Sequence, residues 1–280
     1  MPTVPAVPAS GPIAFIGGGN MARSLIGGLL AAGIEPATIR VADPNSDCRD
    51  ALTADFGVTT FEEASTAVEG ASTWLFAVKP QVMRSLCESL TPIAQTARPL
   101  LVSIAAGITS AQMERWLGGN LAVVRTMPNT PALLGAGVTG LFASAHVDAD
   151  GRKLAQALLS SAGQTVWIDD ESKMDAVTGV SGSGPAYVFL LAEAMEAAAI
   201  AEGLAPDAAR TLVLQTVLGA ARMLTESEVA PDGLRRRVTS PNGTTQAAIE
   251  TFQAGGFEQL VGKAIHAATE RGRRLSAAND

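Results

Sequence analysis

"IAFIGGGNMARSLIGGLL", Ile13 to Leu30, decides the fold. The apolar run Ile13–Ile16 meets Gly17, Gly19 and Ala22 in the spacing G-x-G-x-x-A, and a helical pattern begins at once. Such glycines permit a tight turn and let a pyrophosphate touch the backbone. Free N–H groups and the dipole of the following helix then stabilise the negative charge. Glycines alone are a weak signal; a strand before and a helix after make it a strong one. A purely structural strand–helix turn is the alternative. On the dinucleotide reading, Gly17, Gly19, Asn20 and Met21 face the cofactor.

The pattern repeats downstream. Thr38–Ala42, Thr73–Val78, Leu100–Ile104, Leu121–Thr126, Val138–Phe142 and Thr165–Ile168 read as strands. Most are continuous apolar runs, as parallel strands covered on both faces require. Helical patterns at Asn20–Ala32, Ser46–Phe56, Gln81–Ala94 and Ser110–Leu117 lie between them. Strand–helix alternation predicts an α/β fold with an N-terminal Rossmann-type doubly wound sheet. After Ile168 the strands stop, and Gly184–Glu202, Pro206–Glu226, Thr244–Ala254 and Phe257–Leu275 read as helices. The expected organisation is a disordered lead-in over 1–11, a dinucleotide-binding domain over 12–169 and an all-α domain over 170–280. The helix from Pro185 is apolar nearly all round, so a second copy of the chain is expected to cover part of it. Glu193 and Glu196 interrupt this run, which makes it too short to cross a bilayer without burying charge.

Composition narrows the function. Of the 280 residues, 47% are hydrophobic and the net charge is −7, which excludes nucleic acid as the main partner. Arg235, Arg236 and Arg237 form one basic run, either a solvated helix face or a local field for an anion. Cys48 and Cys87 have no metal-like or CxxC spacing, which implies a reducing, cytoplasmic setting. His146 and His266 belong to no ligand cluster, so no metal is expected. Met1–Ser10 lacks the basic and apolar regions of a signal peptide.

In a doubly wound sheet the ligand lies at the carboxyl ends of the strands. Asp43 ends the second strand, where an acid usually accepts from the adenosine 2′-OH and favours NAD. The Pro44–Asn45–Ser46 turn could equally donate to a 2′-phosphate, and Asp43 could cap the next helix; NAD and NADP both stay open. Ala77, Val78, Lys79 and Pro80 end another strand, and Ala105 and Ala106 follow the next. These small residues and rigid loops suit a closely approaching flat ring.

"GVSGSGPAYVF", Gly179 to Phe189, is a second Gly/Ser loop entering a helix. Hydroxyacid dehydrogenases of similar layout carry a lysine shortly after such a loop, to manage an alcohol proton. Here Pro185, Ala186, Tyr187 and Val188 follow. Without a proton donor, reduction of a ketone is poorly served. An imine nitrogen carries its own proton, so positioning and a hydrogen-bond partner suffice.

"LRRRVTSPNGTTQAAIETF" (Leu234–Phe252) then supplies the closest match to a known family. With "FIGGGNMA", "AVKP", "SIAAG", "MPNTPA" and "SGSGPAY", in chain order, it resembles the pyrroline-5-carboxylate reductases, from about Ile13 to about Leu275. The resemblance implies reduction of 1-pyrroline-5-carboxylate to L-proline by NADPH or NADH, and a helical dimerisation domain. It also implies a homodimer, in some members a ring of dimers, whose active site is shared between subunits. Residue by residue, it implies that backbone N–H groups of Ser240–Thr245, including Gly243 and Thr244, bind the substrate carboxylate. Thr245 would hydrogen-bond the ring nitrogen, and Glu228 would stand near the ring. Asn242 replaces the more usual glycine and tolerates a left-handed backbone. The alternative for this loop is plain helix capping by Ser240 or Asn242. Two other functions compete: a hydroxyacid dehydrogenase, and a non-catalytic dinucleotide-binding regulator.

Overall fold

The computed structural model describes residues 11–279; the expected lead-in lies outside them except for Gly11. The chain divides into two compact units, one reaching Ser183 and taking in Ala267 onward, the other Gly184–His266. The division thus falls after Ser183, where the sequence reading put it after residue 169, and the chain re-enters the first unit at its end.

The first unit is built on an eight-stranded sheet: β1 (Ile13–Ile16), β2 (Ile39–Ala42), β3 (Thr59–Phe61), β4 (Thr73–Phe76), β5 (Leu100–Ser103), β6 (Val123–Met127), β7 (Gly137–Ala143) and β8 (Gly163–Trp167). The order across the sheet is β3-β2-β1-β4-β5-β6-β7-β8. Strands β1 to β6 are mutually parallel, with Ile13 opposite both Ile39 and Thr73. β7 runs antiparallel to β6, and β8 parallel to β7. This reversal was not read from the sequence. The β6–β7 link holds only a 3₁₀ turn, Thr130–Leu134, too short for the crossover that a parallel neighbour needs.

Both faces of the sheet are covered. Ile13 and Phe15 point into one apolar cluster with Leu25, Ile26 and Leu29 of the helix Asn20–Ala31. Ala14 and Ile16 point into the other, with Met83, Cys87 and Leu90 of the helix Pro80–Ala97. Alternate side chains of one strand therefore serve opposite cores, which is why β1 is apolar at every position. Several elements went unread, the helices Met174–Val177 and Pro231–Arg237 among them. β3 is a polar edge strand, the short helix Ala64–Val68 has little pattern, and Ala149–Ser160 carries Gly151 in its first turn.

The second unit is helical: Gly184–Ala201, Pro206–Glu226, Pro231–Arg237, Thr244–Ala254 and the start of Phe257–Ala278. No residue of Gly184–Ala201 is buried; Phe189 and Leu190 are 66% and 65% exposed. Glu171–Ala201, with the preceding turns counted, is long and apolar enough to cross a bilayer by length and composition alone, and Glu193 and Glu196 lie within it. A single π turn, Thr178–Gly182, leads into the helix that begins at Gly184.

Candidate active site

The glycine-rich turn sits where β1 stands between β2 and β4, the point at which connections leave the sheet in opposite directions. Gly17 adopts φ +100, and a Cβ there would lie 2.5 Å from the Ala77 carbonyl oxygen and 3.0 Å from Val78 Cγ1. The turn is thus pressed against the loop after β4. Gly18 N donates to Asp43 Oδ2 at 2.8 Å, and Asn45 N to Asp43 Oδ1 at 2.9 Å. Asp43 therefore braces the glycine turn from just beyond β2 with one oxygen and its own following turn with the other. It does not cap the next helix: Asn45 does, accepting from Asp47 N and Cys48 N. Arg49 Nη1 donates to the Asp43 and Pro44 carbonyls at 2.8 and 3.0 Å. Cys48 Sγ donates to the Gly18 carbonyl at 3.2 Å. Burial, and after it the charge of Asp43, pushes the Cys48 thiol up, so it remains a hydrogen-bond donor at neutral pH.

Gly19 is the N-cap of Asn20–Ala31 and brings no side-chain cap. A Cβ on Gly19 would meet nothing within 4 Å. The helix start thus has no side-chain cap and open space beside Gly19, as the approach of a diphosphate requires. Lys79 is exposed and precedes Pro80, the first residue of Pro80–Ala97. In the loop after β5, Ala105 is buried and Ala106 half-buried. Ile104 N donates to the Phe76 carbonyl at 3.1 Å, which joins this loop to the end of β4. Gly17, Gly19, Asp43, Ala77, Val78 and Ala105 thereby lie together at the carboxyl ends of β1, β2, β4 and β5, as the topology dictates. Gly18 and Cys48 were missed; Gly18 is the middle of three consecutive glycines, and no local pattern pairs it with Cys48.

In the second unit, Asn242 has φ +57, so the turn before Thr244–Ala254 uses the left-handed conformation expected of it. Asn242 N donates to Gln246 Oε1 at 2.7 Å, and Gly243 N to the Ser240 carbonyl at 3.1 Å. The N-cap is Gly243, with no side-chain cap. Capping by Ser240 or Asn242 is thus overturned: the N-cap position falls on Gly243, which has no side chain to offer, and neither neighbour's side chain accepts from the first turn. The helix begins with its first-turn donors uncapped, beside Thr244 and a half-buried Thr245. Glu228 is exposed between Pro206–Glu226 and Pro231–Arg237. Arg235 to Arg237 lie exposed, with Arg236 paired to Asp232. The residues expected to face the nucleotide all lie in the first unit, whereas Glu228 and Ser240–Thr245 belong to the second. Among the described residues no group of three His, Cys, Asp or Glu could hold a metal ion.

A dinucleotide turn at the switch point of a mostly parallel sheet, followed by a helical unit, defines a Rossmann-type nicotinamide-dependent oxidoreductase. Residues 12–107 match a family model described as NADP oxidoreductase, coenzyme F420-dependent, and residues 171–275 match one described as pyrroline-5-carboxylate reductase dimerisation. A pyrroline-5-carboxylate reductase of Pseudomonas aeruginosa is 53% identical over 94% of this chain and 96% of its own. The solved structure of one from Coxiella burnetii is 41% identical, with TM-score 0.92 over 95% of this chain and 99% of that one. That of the Plasmodium falciparum pyrroline carboxylate reductase, with NADP bound, is 26% identical, with TM-score 0.83 over 96% and 99%. The chain belongs to the pyrroline-5-carboxylate reductase family.

Proposed function

We propose that this protein reduces the C=N bond of 1-pyrroline-5-carboxylate to L-proline with NADPH or NADH, the last step of proline biosynthesis. The observation that carries the substrate reading is the uncapped helix start at Gly243. N–H groups with no side-chain acceptor, at the positive end of a helix dipole, suit a small carboxylate. Ser240, Gly243 and Thr244 bind it through the loop backbone, and the Thr245 hydroxyl hydrogen-bonds the ring nitrogen. Glu228 stands near the ring. The reduced nicotinamide supplies a hydride to the imine carbon. The ring nitrogen, already protonated, becomes the amine, so the chain itself need hold no strong acid.

Gly17, Gly19, Asn20 and Met21 take the diphosphate; Asp43 lies at the adenosine end. Ala77, Val78, Lys79 and Pro80 lie along the cofactor, with Ala105 and Ala106 toward its nicotinamide half. The protein works in the cytoplasm as a homodimer, with higher rings of dimers as a further assembly, and needs neither nucleic acid nor membrane. The bare apolar surface of Gly184–Ala201 supports a second copy as its cover.

Oxidation of NADPH and of NADH, followed in parallel with pyrroline-5-carboxylate, tests substrate and cofactor together. Thr245→Ala is expected to lower turnover by about 10- to 100-fold, the worth of a hydrogen bond to a charged group. Cofactor affinity should hold. Unchanged turnover would remove the role given to Thr245, and cofactor binding without turnover in the wild type would favour a regulator.

A further inference from the structure

The end of the helix Phe257–Ala278 grips the loop after β5. Gly107 adopts φ +71, and a Cβ there would sit 3.2 Å from Leu275 Cβ. Asn279 Nδ2 donates to the Gly107 carbonyl at 3.1 Å while also donating to the Leu275 carbonyl at 2.9 Å. A few residues further, Gln112 Nε2 donates to the Ser276 carbonyl at 2.9 Å. Ser276 Oγ in turn donates to Asp175 Oδ1 at 3.3 Å, the oxygen that accepts from Arg125 Nη2 at 3.0 Å. On the other side of Arg125, Glu171 accepts from Ser110 N and Ser110 Oγ, both at 2.7 Å. The loop from Ile104 to Thr109 is therefore held at its start by the sheet, at its end by Glu171, and at its middle by the returning helix.

The middle attachment is the informative one. The loop start needs no help: Ser103 Oγ accepts from Ala105 N at 3.3 Å, and the Ser103 carbonyl accepts from Thr126 Oγ1 at 2.9 Å. Its end is fixed by the Thr109–Gln112 capping box. What remains free to tilt is the Ala106–Gly107 segment, whose glycine is conformationally permissive. Asn279 and Leu275 are the groups that take up that freedom. Neither has a part in hydride transfer.

We propose that Asn279, with Leu275, is a positioning residue for the cofactor: by pinning the Gly107 peptide it sets the height of Ala105 and Ala106 against the nicotinamide half. This rests on the reading that Ala105 and Ala106 line the cofactor. The test uses the full-length protein and NADPH or NADH, whichever the wild type binds better, titrated by nucleotide fluorescence without substrate. Asn279→Asp keeps the size and replaces the donor by an acceptor facing the Gly107 carbonyl. Asn279→Ala removes the bond without adding charge, and decides the matter if the Asp variant does not fold. Both are expected to raise the cofactor Kd, and its KM in step, about five- to tenfold, the worth of one hydrogen bond. The KM for the imino acid should stay within about twofold, because its loop lies elsewhere in the chain. A cofactor Kd within about twofold of wild type would overturn the inference. So would parallel losses in both KM values together with a lowered melting temperature, which would mark the contact as merely structural. A wild type that binds neither nucleotide would remove the cofactor reading itself, and this inference with it.

Discussion

Gly17→Ala is expected to weaken NADPH or NADH binding by at least about tenfold while leaving a folded protein. Two costs coincide at this position. A residue with a Cβ is strained at φ +100, by about 1–2 kcal/mol in left-handed backbone. The added methyl would also lie 2.5 Å from the Ala77 carbonyl oxygen, a backbone atom that cannot swing aside as a side-chain tip can. Relief requires the turn and the loop after β4 to separate, and overpacking of this kind costs about 1–3 kcal/mol. Both segments carry residues assigned to the cofactor, so the strain is relieved at the expense of the site. Isothermal titration with each nucleotide reads the effect. Gly19→Ala supplies the contrast: its methyl meets nothing within 4 Å of protein, so the apo fold should tolerate it and only binding should suffer. Wild-type affinity in both variants would show the diphosphate to lie elsewhere.

Arg125→Ala should cost about 3–5 kcal/mol of stability, because it leaves a buried carboxylate without its cation. The Arg125 side chain is 5% exposed and that of Asp175 9% exposed, at 3.0 Å. Glu171, 22% exposed and 3.5 Å from the same guanidinium, loses less because water and Ser110 still reach it. Urea unfolding should show a lower midpoint. Arg125→Met combined with Asp175→Leu should recover much of the loss, since exchanging a whole buried pair for apolar groups is often close to neutral. If Arg125→Ala leaves the midpoint unmoved, the pair contributes nothing and the packing of the returning helix rests on its apolar contacts.

How far these features can be read from the sequence depends on how local they are. The β1 turn was legible because strand, glycines and helix occupy 18 consecutive positions, Ile13 to Leu30. The second strand's end was legible as a position but not as a function. Asp43 holds Gly18 from 25 positions away, and no local pattern announces that pairing. The polar edge strand Thr59–Phe61 offered no apolar run, since an edge buries little. The direction of β7 was hidden too: Val138–Phe142 reads as a strand in either sense, and only the short link before it decides. At the substrate loop, the left-handed Asn242 followed from its residue type. That the N-cap falls on Gly243 rather than on Ser240 or Asn242 is a matter of backbone geometry that only coordinates reveal. The Arg125 network joins positions 50 and 46 apart, beyond any periodicity.

The return of Ala267 onward into the first unit has a consequence for biosynthesis. The sheet's own strands leave the ribosome early, but Asp175 and Gln112 meet Ser276, and Gly107 meets Asn279, only after residues 184–266 have been translated. A nascent chain must therefore carry an unfinished nucleotide lobe through synthesis of its whole helical insert. Competence to hold the coenzyme should appear late and abruptly, after the whole helical unit has already emerged.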